Sequence, residues 1–120
     1  MEISKELLSE VYNFDIEDIR LLGTDNVTYE VRFNGLKNGL KYNIVNIYEL
    51  AHKCKEWAFN NGYYLTIYND AIDIILQSNC KIIANITNDS FIYDVKLVFK
   101  ACEYILKEIK KWQQIKYYAA

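Results

Sequence analysis

The spacing of apolar residues along the chain predicts three helices and two groups of strands. Apolar side chains recur every three to four positions in some stretches, which is the helical period, and at every second position in others, which is the strand period. The predicted helices cover residues 4–13, 46–60 and about 94–111. The predicted strands cover residues 16–23, 27–33, 40–45, 63–68, 71–77 and 80–87. Two-residue turns between the last three strands are typical of an antiparallel meander.

Residues with capping and turn preferences mark the ends of these elements. Ser4 and Asn46 precede the first two helices, and each has a side-chain oxygen that can accept a free backbone N–H of the first helical turn. Glu49 lies three residues after Asn46, as in a capping box. Gly62 follows the second helix, where a left-handed residue commonly stops a helix. Two Asn/Gly signals in residues 34–39 predict a loop.

The most apolar face of each element predicts the core. On the second helix this face consists of Ile47, Leu50, Ala51, Cys54, Trp57 and Ala58. On the last helix it consists of Val98, Ala101, Cys102, Ile105, Ile109 and Trp112, widened by Leu97 and Leu106. In the last strand, Ile82, Ala84 and Ile86 are predicted to point inward. Stripes of this width bury one side of a helix or strand against a neighbour.

The order of elements, α-β-β-(β)-α-β-β-β-α, predicts an α+β fold. Helices packed on one face of an antiparallel sheet are the economical arrangement for this order. The 120 residues fit a single domain, and 52% of them are apolar and 25% charged, which is an ordinary globular balance. Residues 46–111 form an α-β-β-β-α unit within this domain.

The residue types that carry most enzyme chemistry are sparse. His52 is the single histidine, and it lies on the flank of the second helix away from the core stripe, as a surface side chain does. Cys54, Cys80 and Cys102 are odd in number and widely spaced, which argues against a disulfide framework and against zinc-binding spacings. Four scattered glycines supply no phosphate-binding loop. We therefore predict a protein that is not an enzyme and that uses no cofactor or metal.

The start of the sequence and its apolar runs predict the compartment. No basic segment followed by an apolar core, the pattern of a secretory signal, follows Met1. No apolar run approaches the roughly 18 residues that span a bilayer. Ile, Asn, Lys and Tyr are plentiful and proline is absent, which indicates an A/T-rich bacterial or phage genome. The sequence predicts a soluble cytoplasmic protein without a membrane partner.

Charge is distributed unevenly along the chain. Residues 1–35 contain eight acidic and three basic side chains, whereas residues 95–120 contain six lysines and two glutamates. Asp15, Glu17 and Asp18 form an acidic group that suits a basic partner surface. The alternative for this group is a solvated sheet edge.

Tyrosine is abundant, with eleven copies, and three of them crowd the predicted strand 63–68. We predict that at least one of Tyr63, Tyr64 and Tyr68 is exposed, because a strand directs neighbouring residues to opposite faces. Exposed tyrosines offer large contact areas at a low entropic cost, which favours recognition surfaces. The alternative is that they pack in the core or on the sheet. The sequence predicts partner binding by these tyrosines together with the acidic group.

Lysines recur at helical spacing along the last helix. They are Lys96, Lys100, Lys107, Lys110 and Lys111. Such a stripe can contact a phosphate backbone. The alternative is a solvated outer face on which Glu103 and Lys107 form an i,i+4 ion pair.

The α-β-β-β-α unit resembles the double-stranded RNA-binding domain in order and length. In that family, basic residues at the start of the last helix contact phosphates across a groove, and Lys96, Lys100 and Ala101 occupy roughly that place here. The family's Lys-Lys-x-Ala-Lys cluster is incomplete, and Tyr68-Asn69-Asp70 stands where its Gly-Pro-x-His loop would be. The resemblance implies a nucleic-acid-binding module that uses the lysines of the last helix.

Two segments are similar to small uncharacterised proteins of phages and prophages. They run from Asn46 to Ala58 and from Val98 to Leu106, and the similarity covers residues 46–107. It implies a mobile-element origin and brings no catalytic residues with it. Small phage proteins of this kind resemble anti-CRISPR and other counter-defence inhibitors.

Three functions follow as hypotheses. The leading one is a non-enzymatic phage or prophage protein that binds and inhibits a host protein or a ribonucleoprotein defence complex. The alternative is a double-stranded nucleic-acid-binding module. The third is an immunity protein or a self-associating subunit, a homodimer in which an exposed sheet edge pairs with its twin.

Overall fold

The structure, a computed structural model, describes residues 3–88 and 94–119, with side chains up to Ile115. In these residues the helices are α1 (Lys5–Tyr12), α2 (Ile47–Asn60) and α3 (Lys96–Ala119). The strands are β1 (Ile16–Leu21), β2 (Thr28–Lys37), β3 (Leu40–Asn46), β4 (Tyr63–Ile67), β5 (Ala71–Leu76) and β6 (Ile82–Thr87). The α+β class and the predicted order of elements are confirmed. None of the described helices has the length and apolar character needed to cross a membrane.

The strands form two three-stranded antiparallel sheets rather than one. β1, β2 and β3 form sheet A in that order, and β4, β5 and β6 form sheet B in that order. The sheets separate after β3 because α2 begins at the next residue, Ile47, and carries the chain away before β4 starts. The meander predicted for residues 63–87 is confirmed as sheet B.

The helices pack against one face of each sheet. The ring centroid of Phe33 in β2 lies 5.5 Å from that of Tyr12 in α1 and 5.7 Å from that of Phe14, so α1 covers the Phe33 side of sheet A. α3 packs on β5 and β6 of sheet B, and α2 contacts α1, α3, β3 and β4. Exposed side chains such as Tyr42 of β3 are left on the opposite face.

One core joins the helices and both sheets. Buried side chains from α1, α2, α3 and the two sheets belong to a single cluster, and all six residues predicted for the core face of α2 are buried. The Cys102 thiol donates a hydrogen bond to the carbonyl oxygen of Cys54 at 3.4 Å, which brings α3 close to the backbone of α2. Contact with Cys54 and burial together raise the pKa of the Cys102 thiol.

The predicted starts of α1 and α2 and the predicted end of α2 are confirmed, whereas α3 continues to Ala119, beyond its predicted end near Lys111. Ser4 Oγ accepts the Leu7 N–H at 3.0 Å at the start of α1. Asn46 Oδ1 accepts the Glu49 N–H at 2.9 Å, and the Asn46 amide donates back to Glu49 Oε1 at 2.7 Å. Asn46 and Glu49 therefore cap the start of α2 with hydrogen bonds that run in both directions between them. α2 stops at Asn60, and Gly62 follows in the left-handed region with φ of 94°.

The prediction of a loop at residues 34–39 is wrong for residues 34–37, which belong to β2. β2 continues to Lys37, which pairs with Leu40 of β3. Asn38 and Gly39 alone form the turn, with φ of 51° and 82°, the left-handed values that a two-residue hairpin turn favours. Asn34 lies in the strand instead, and its side-chain amide donates to Asp15 Oδ2 at 2.7 Å.

Two residues predicted for the core are exposed. Ile82 pairs with Ile75 while Ala84 pairs with Ile74, so a bulge shifts the register by one residue and turns Ile82 to the solvent side. Trp112 lies in the part of α3 beyond the core, where residues 110–115 are all exposed.

Candidate partner-binding surface

The solvent-facing side of α2 has exposed aromatic residues. Tyr48 is 63% exposed and Phe59 is 57% exposed, and the two lie eleven positions apart, which places them on the same stripe of the helix. His52, Lys55 and Glu56 lie between them on this stripe. The core face of the helix, with Leu50 and Cys54, points the other way. Exposed aromatic side chains are therefore aligned along the length of α2.

Strand β4 extends this stripe at the end of α2. The tight stop after Asn60 folds the chain back, so that the ring centroid of Tyr64 lies 6.0 Å from that of Phe59 with the rings tilted by 54°. Ile67 and Tyr68 follow at the far end of the strand, and Tyr68 is 50% exposed. We name the combined patch the α2–β4 surface; it consists of Tyr48, His52, Lys55, Glu56, Phe59, Tyr64, Ile67 and Tyr68.

Three shallow depressions run along the α2–β4 surface. The first has a volume of about 420 Å³ and lies between the end of α2 and β4. The second, of about 480 Å³, lies beside Tyr48 and shares His52 and Glu56 with the first. The third, of about 300 Å³, lies beside Tyr68 and shares Lys55 with the first. The shared residues make the depressions one continuous surface.

Two polar side chains of the α2–β4 surface, His52 and Glu56, pair with each other. His52 Nε2 and Glu56 Oε1 lie 2.7 Å apart, and both side chains are more than half exposed. A pair at this spacing supports the helix weakly and leaves both groups accessible to a partner. Among the described residues, no group of three or more His, Cys, Asp or Glu side chains is placed to hold a metal ion.

The three predicted tyrosines are divided between surface and core. Tyr64 and Tyr68 are exposed, whereas Tyr63 is only 6% exposed. Tyr63 shares its face of β4 with Leu65, towards the core. Burial, with smaller contributions from Glu108 and Tyr104 of α3, raises the pKa of Tyr63. Tyr63 nevertheless lines the first depression, so its contact with a partner stays a prediction, although a strand turns most of its side chain away from the face that carries Tyr64.

The predicted acidic group lies on a different sheet from the tyrosines. Asp15, Glu17 and Asp18 are exposed at the start of β1, an edge strand of sheet A, whereas Tyr64 and Tyr68 belong to β4 of sheet B or follow it. Asp15 is also engaged within sheet A, since its carboxylate accepts the hydrogen bond from the Asn34 amide. The structure therefore does not join the acidic group and the tyrosines into one site.

The predicted lysine stripe follows the outer side of α3. Lys100, Lys107, Lys110 and Lys111 are exposed and Lys96 is half-buried. Acidic groups accompany the stripe, since Lys110 forms an ion pair with Glu6 of α1. Glu103, predicted to pair with Lys107, instead accepts a hydrogen bond from Ser4 Oγ at 2.7 Å.

No protein-family model, no curated protein and no solved structure matches this chain. The resemblances to phage proteins and to the double-stranded RNA-binding domain therefore stay predictions. Function is inferred instead from the geometry of the α2–β4 surface.

Sequence reasoning missed Tyr48 and Phe59 as candidate binding residues. The signal was present, because both are large aromatic residues that fall outside the core stripe of the best-defined helix. His52 was correctly placed on the surface, and its position between Tyr48 and Phe59 follows from the helical period. Only the addition of Tyr64 to the same patch depends on the packing of β4 beside α2.

Proposed function

We propose that this protein is a non-enzymatic binding protein that docks on a partner protein through the α2–β4 surface. The observation that carries the proposal is the alignment of Tyr48, Phe59, Tyr64 and Tyr68, all exposed, along one continuous patch. Contiguous exposed apolar patches on soluble proteins mark interaction sites more often than chance.

The chemistry of the surface supports a protein partner. Aromatic side chains supply much of the binding energy of protein interfaces when they become fully desolvated in the complex. Polar groups such as His52, Lys55 and Glu56 can then provide hydrogen bonds at the rim. The Phe59 and Tyr64 rings, already in contact, lose little freedom when a partner covers them.

We further propose that the partner is a host protein or ribonucleoprotein defence complex, and that binding inhibits it. The predicted resemblance of residues 46–107 to phage and prophage proteins motivates this step, because those residues include α2 and β4. In such a mechanism the protein occupies a functional surface of its target and needs no catalytic group of its own.

Capture of the partner from a nuclease-treated host lysate, followed by binding to the purified partner, tests the proposal. The triple variant Tyr48→Ala/Phe59→Ala/Tyr64→Ala should lower the affinity about a hundredfold or more. Trp112→Ala removes an exposed aromatic residue outside the surface and is the matched control. Equal binding by wild type and triple variant would reject the α2–β4 surface. The variant Asp15→Asn/Glu17→Gln/Asp18→Asn tests the acidic group separately.

Nucleic-acid binding is the second candidate, favoured by the exposed positions of Lys100, Lys107 and Lys111 along one side of α3. It predicts binding to a labelled duplex that weakens steeply with salt. Replacing these three lysines with glutamine should lower the log–log salt slope by about one unit for each phosphate that is no longer bound. A duplex that stays unbound at low salt and micromolar protein would reject this candidate.

A further inference from the structure

Strand β3 is an edge strand with exposed apolar side chains. Sheet A has the order β1-β2-β3, so β3 has a paired neighbour on one side only. Leu40, Tyr42 and Ile44 are 60%, 50% and 47% exposed, and they occupy alternate positions on the face of the sheet that α1 does not cover. Three consecutive outward positions of this edge are therefore apolar.

The backbone groups of Tyr42 and Ile44 point to the open edge. The Ile47 N–H donates to the carbonyl of Val27 at 2.7 Å, which fixes the odd-numbered residues of this part of β3 as those that bond to β2. The N–H and C=O groups of Tyr42 and Ile44 therefore face away from β2. Among the described residues, the strand neighbour of β3 is β2, and its other contacts are with the helices α1 and α2.

Two other edge strands, β1 of sheet A and β6 of sheet B, carry features that discourage pairing. β1 has the charged residues Glu17 and Asp18 near its start and a bulge beside them. On β6, Asn85 and Thr87 join Ile82 on the outer face, and Asn85 donates a hydrogen bond to Asp73. Charges, bulges and polar groups of this kind are the usual protection of an exposed edge. The β3 edge has no charged side chain among its three outward positions.

We propose that the β3 edge binds a second copy of this chain. The two β3 strands pair antiparallel about a two-fold axis at Tyr42, which joins two copies of sheet A into one six-stranded sheet. The axis places the Tyr42 side chains of the two copies opposite each other, and Leu40 of each copy opposite Ile44 of the other. The free N–H and C=O groups of the two Tyr42 residues then bond to each other at the centre of the new ladder.

The charge pattern suits this self-pairing. Lys41 falls opposite Asn43 of the second copy, so no like charges are opposed across the new strand pair. Arg32 of β2 is the cross-strand neighbour of Tyr42. The central row of the joined sheet therefore reads arginine, tyrosine, tyrosine, arginine, in which each tyrosine has an arginine of its own copy as a cross-strand neighbour.

Sedimentation over roughly 1 to 200 µM protein tests the proposal, since a small strand-edge interface is expected to be weak. Wild type should shift from one chain towards two as concentration rises. Tyr42→Lys and Ile44→Lys should each raise the dissociation constant by at least about tenfold, because a lysine on an edge opposes strand pairing. Ile82→Lys, at an exposed isoleucine of the β6 edge, is the matched control and should dimerise as wild type does. A protein that stays monomeric at all these concentrations, or a dimer that neither β3 variant weakens, would overturn the proposed pairing of β3 strands.

An engineered disulfide tests the register directly. Residues that exchange both hydrogen bonds across an antiparallel pair have Cα atoms about 5.5 Å apart, within the reach of a disulfide. Tyr42→Cys, made with Cys80→Ser to remove the exposed native thiol, should form a covalent dimer on mild oxidation at high concentration. The matched control Ile82→Cys/Cys80→Ser should remain mostly monomeric. Equal cross-linking of the two variants, or none at position 42, would contradict pairing about Tyr42.

Discussion

Glu30 is a buried charged side chain that two arginines hold in place. Its Oε1 atom lies 3.2 Å from a guanidinium nitrogen of Arg20 on β1. It lies 3.2 Å from a guanidinium nitrogen of Arg32, which is on β2 like Glu30 itself. The Glu30 side chain is 11% exposed, whereas the side chains of Arg20 and Arg32 are 56% and 39% exposed. Glu30 therefore links β1 to β2 on the outer face of sheet A.

Replacing Glu30 with alanine should lower the free energy of unfolding by about 1 to 2 kcal/mol, because Arg32 loses a charge-assisted hydrogen bond and Arg20 loses an ion pair, while both arginines remain able to contact water. Urea unfolding measures the change. Glu17→Ala, at an exposed position of the same sheet, should change stability by no more than about 0.5 kcal/mol. Equal losses for the two variants would contradict a special role for Glu30.

The three cysteines should react at very different rates with a thiol reagent at about pH 8. Cys80 is exposed in a turn, whereas Cys54 and Cys102 are buried and the pKa of Cys102 is raised. We expect one fast thiol in the native protein and two that react only as fast as the protein opens. Cys80→Ser should remove the fast phase. Fast reaction of all three native thiols would show that the α2–α3 contact is open.

Helix α2 supports the α2–β4 surface, and its capping pair is a measurable part of its stability. Asn46→Ala removes both the bond to the Glu49 N–H and the bond to the Glu49 carboxylate. We expect a loss of about 1 kcal/mol in the free energy of unfolding, measured by thermal or urea denaturation. Asn60→Ala, at an exposed position in the last turn of the same helix, should have a smaller effect. If the two variants had the same free energy of unfolding, the hydrogen bonds between Asn46 and Glu49 would contribute nothing special to the stability of α2.

Local signals explain which elements could be predicted from the sequence. Ser4, Asn46 and Gly62 act on neighbouring backbone groups, so their roles at helix ends follow from sequence alone. Both strands of the β2–β3 hairpin were predicted, but the loop between them was made too long because Asn34 and Gly35 resemble turn residues, whereas the pairing of Lys37 with Leu40 keeps them in the strand.

Contacts between distant residues explain what could not be predicted. The exposure of Ile82 depends on a bulge in its pairing with β5, and the burial of Tyr63 depends on α3. The candidate surface was only half predicted for the same reason: Tyr64 and Tyr68 were identified in a strand, but their continuity with Phe59 arises from tertiary packing.

The whole molecule should unfold as one unit, because the two sheets share a single core. Leu50 of α2 is fully buried in that core. Leu50→Ala should lower the free energy of unfolding by about 2 to 5 kcal/mol. Hydrogen exchange measured by mass spectrometry should accelerate by similar factors in β2 and in β5. Leu36→Ala, at an exposed leucine, is the control. Acceleration confined to one sheet would mean that the sheets unfold separately.

The contact between Ser4 and Glu103 has a consequence for biosynthesis. These residues are 99 positions apart, and the ion pair of Glu6 with Lys110 spans a similar distance. Helix α1 leaves the ribosome early, but the helix that receives it is translated last among the described elements. Until α3 emerges, the apolar faces of α1, α2 and sheet B that it covers remain in water, and a nascent chain in this state is prone to aggregation and a natural client for chaperones.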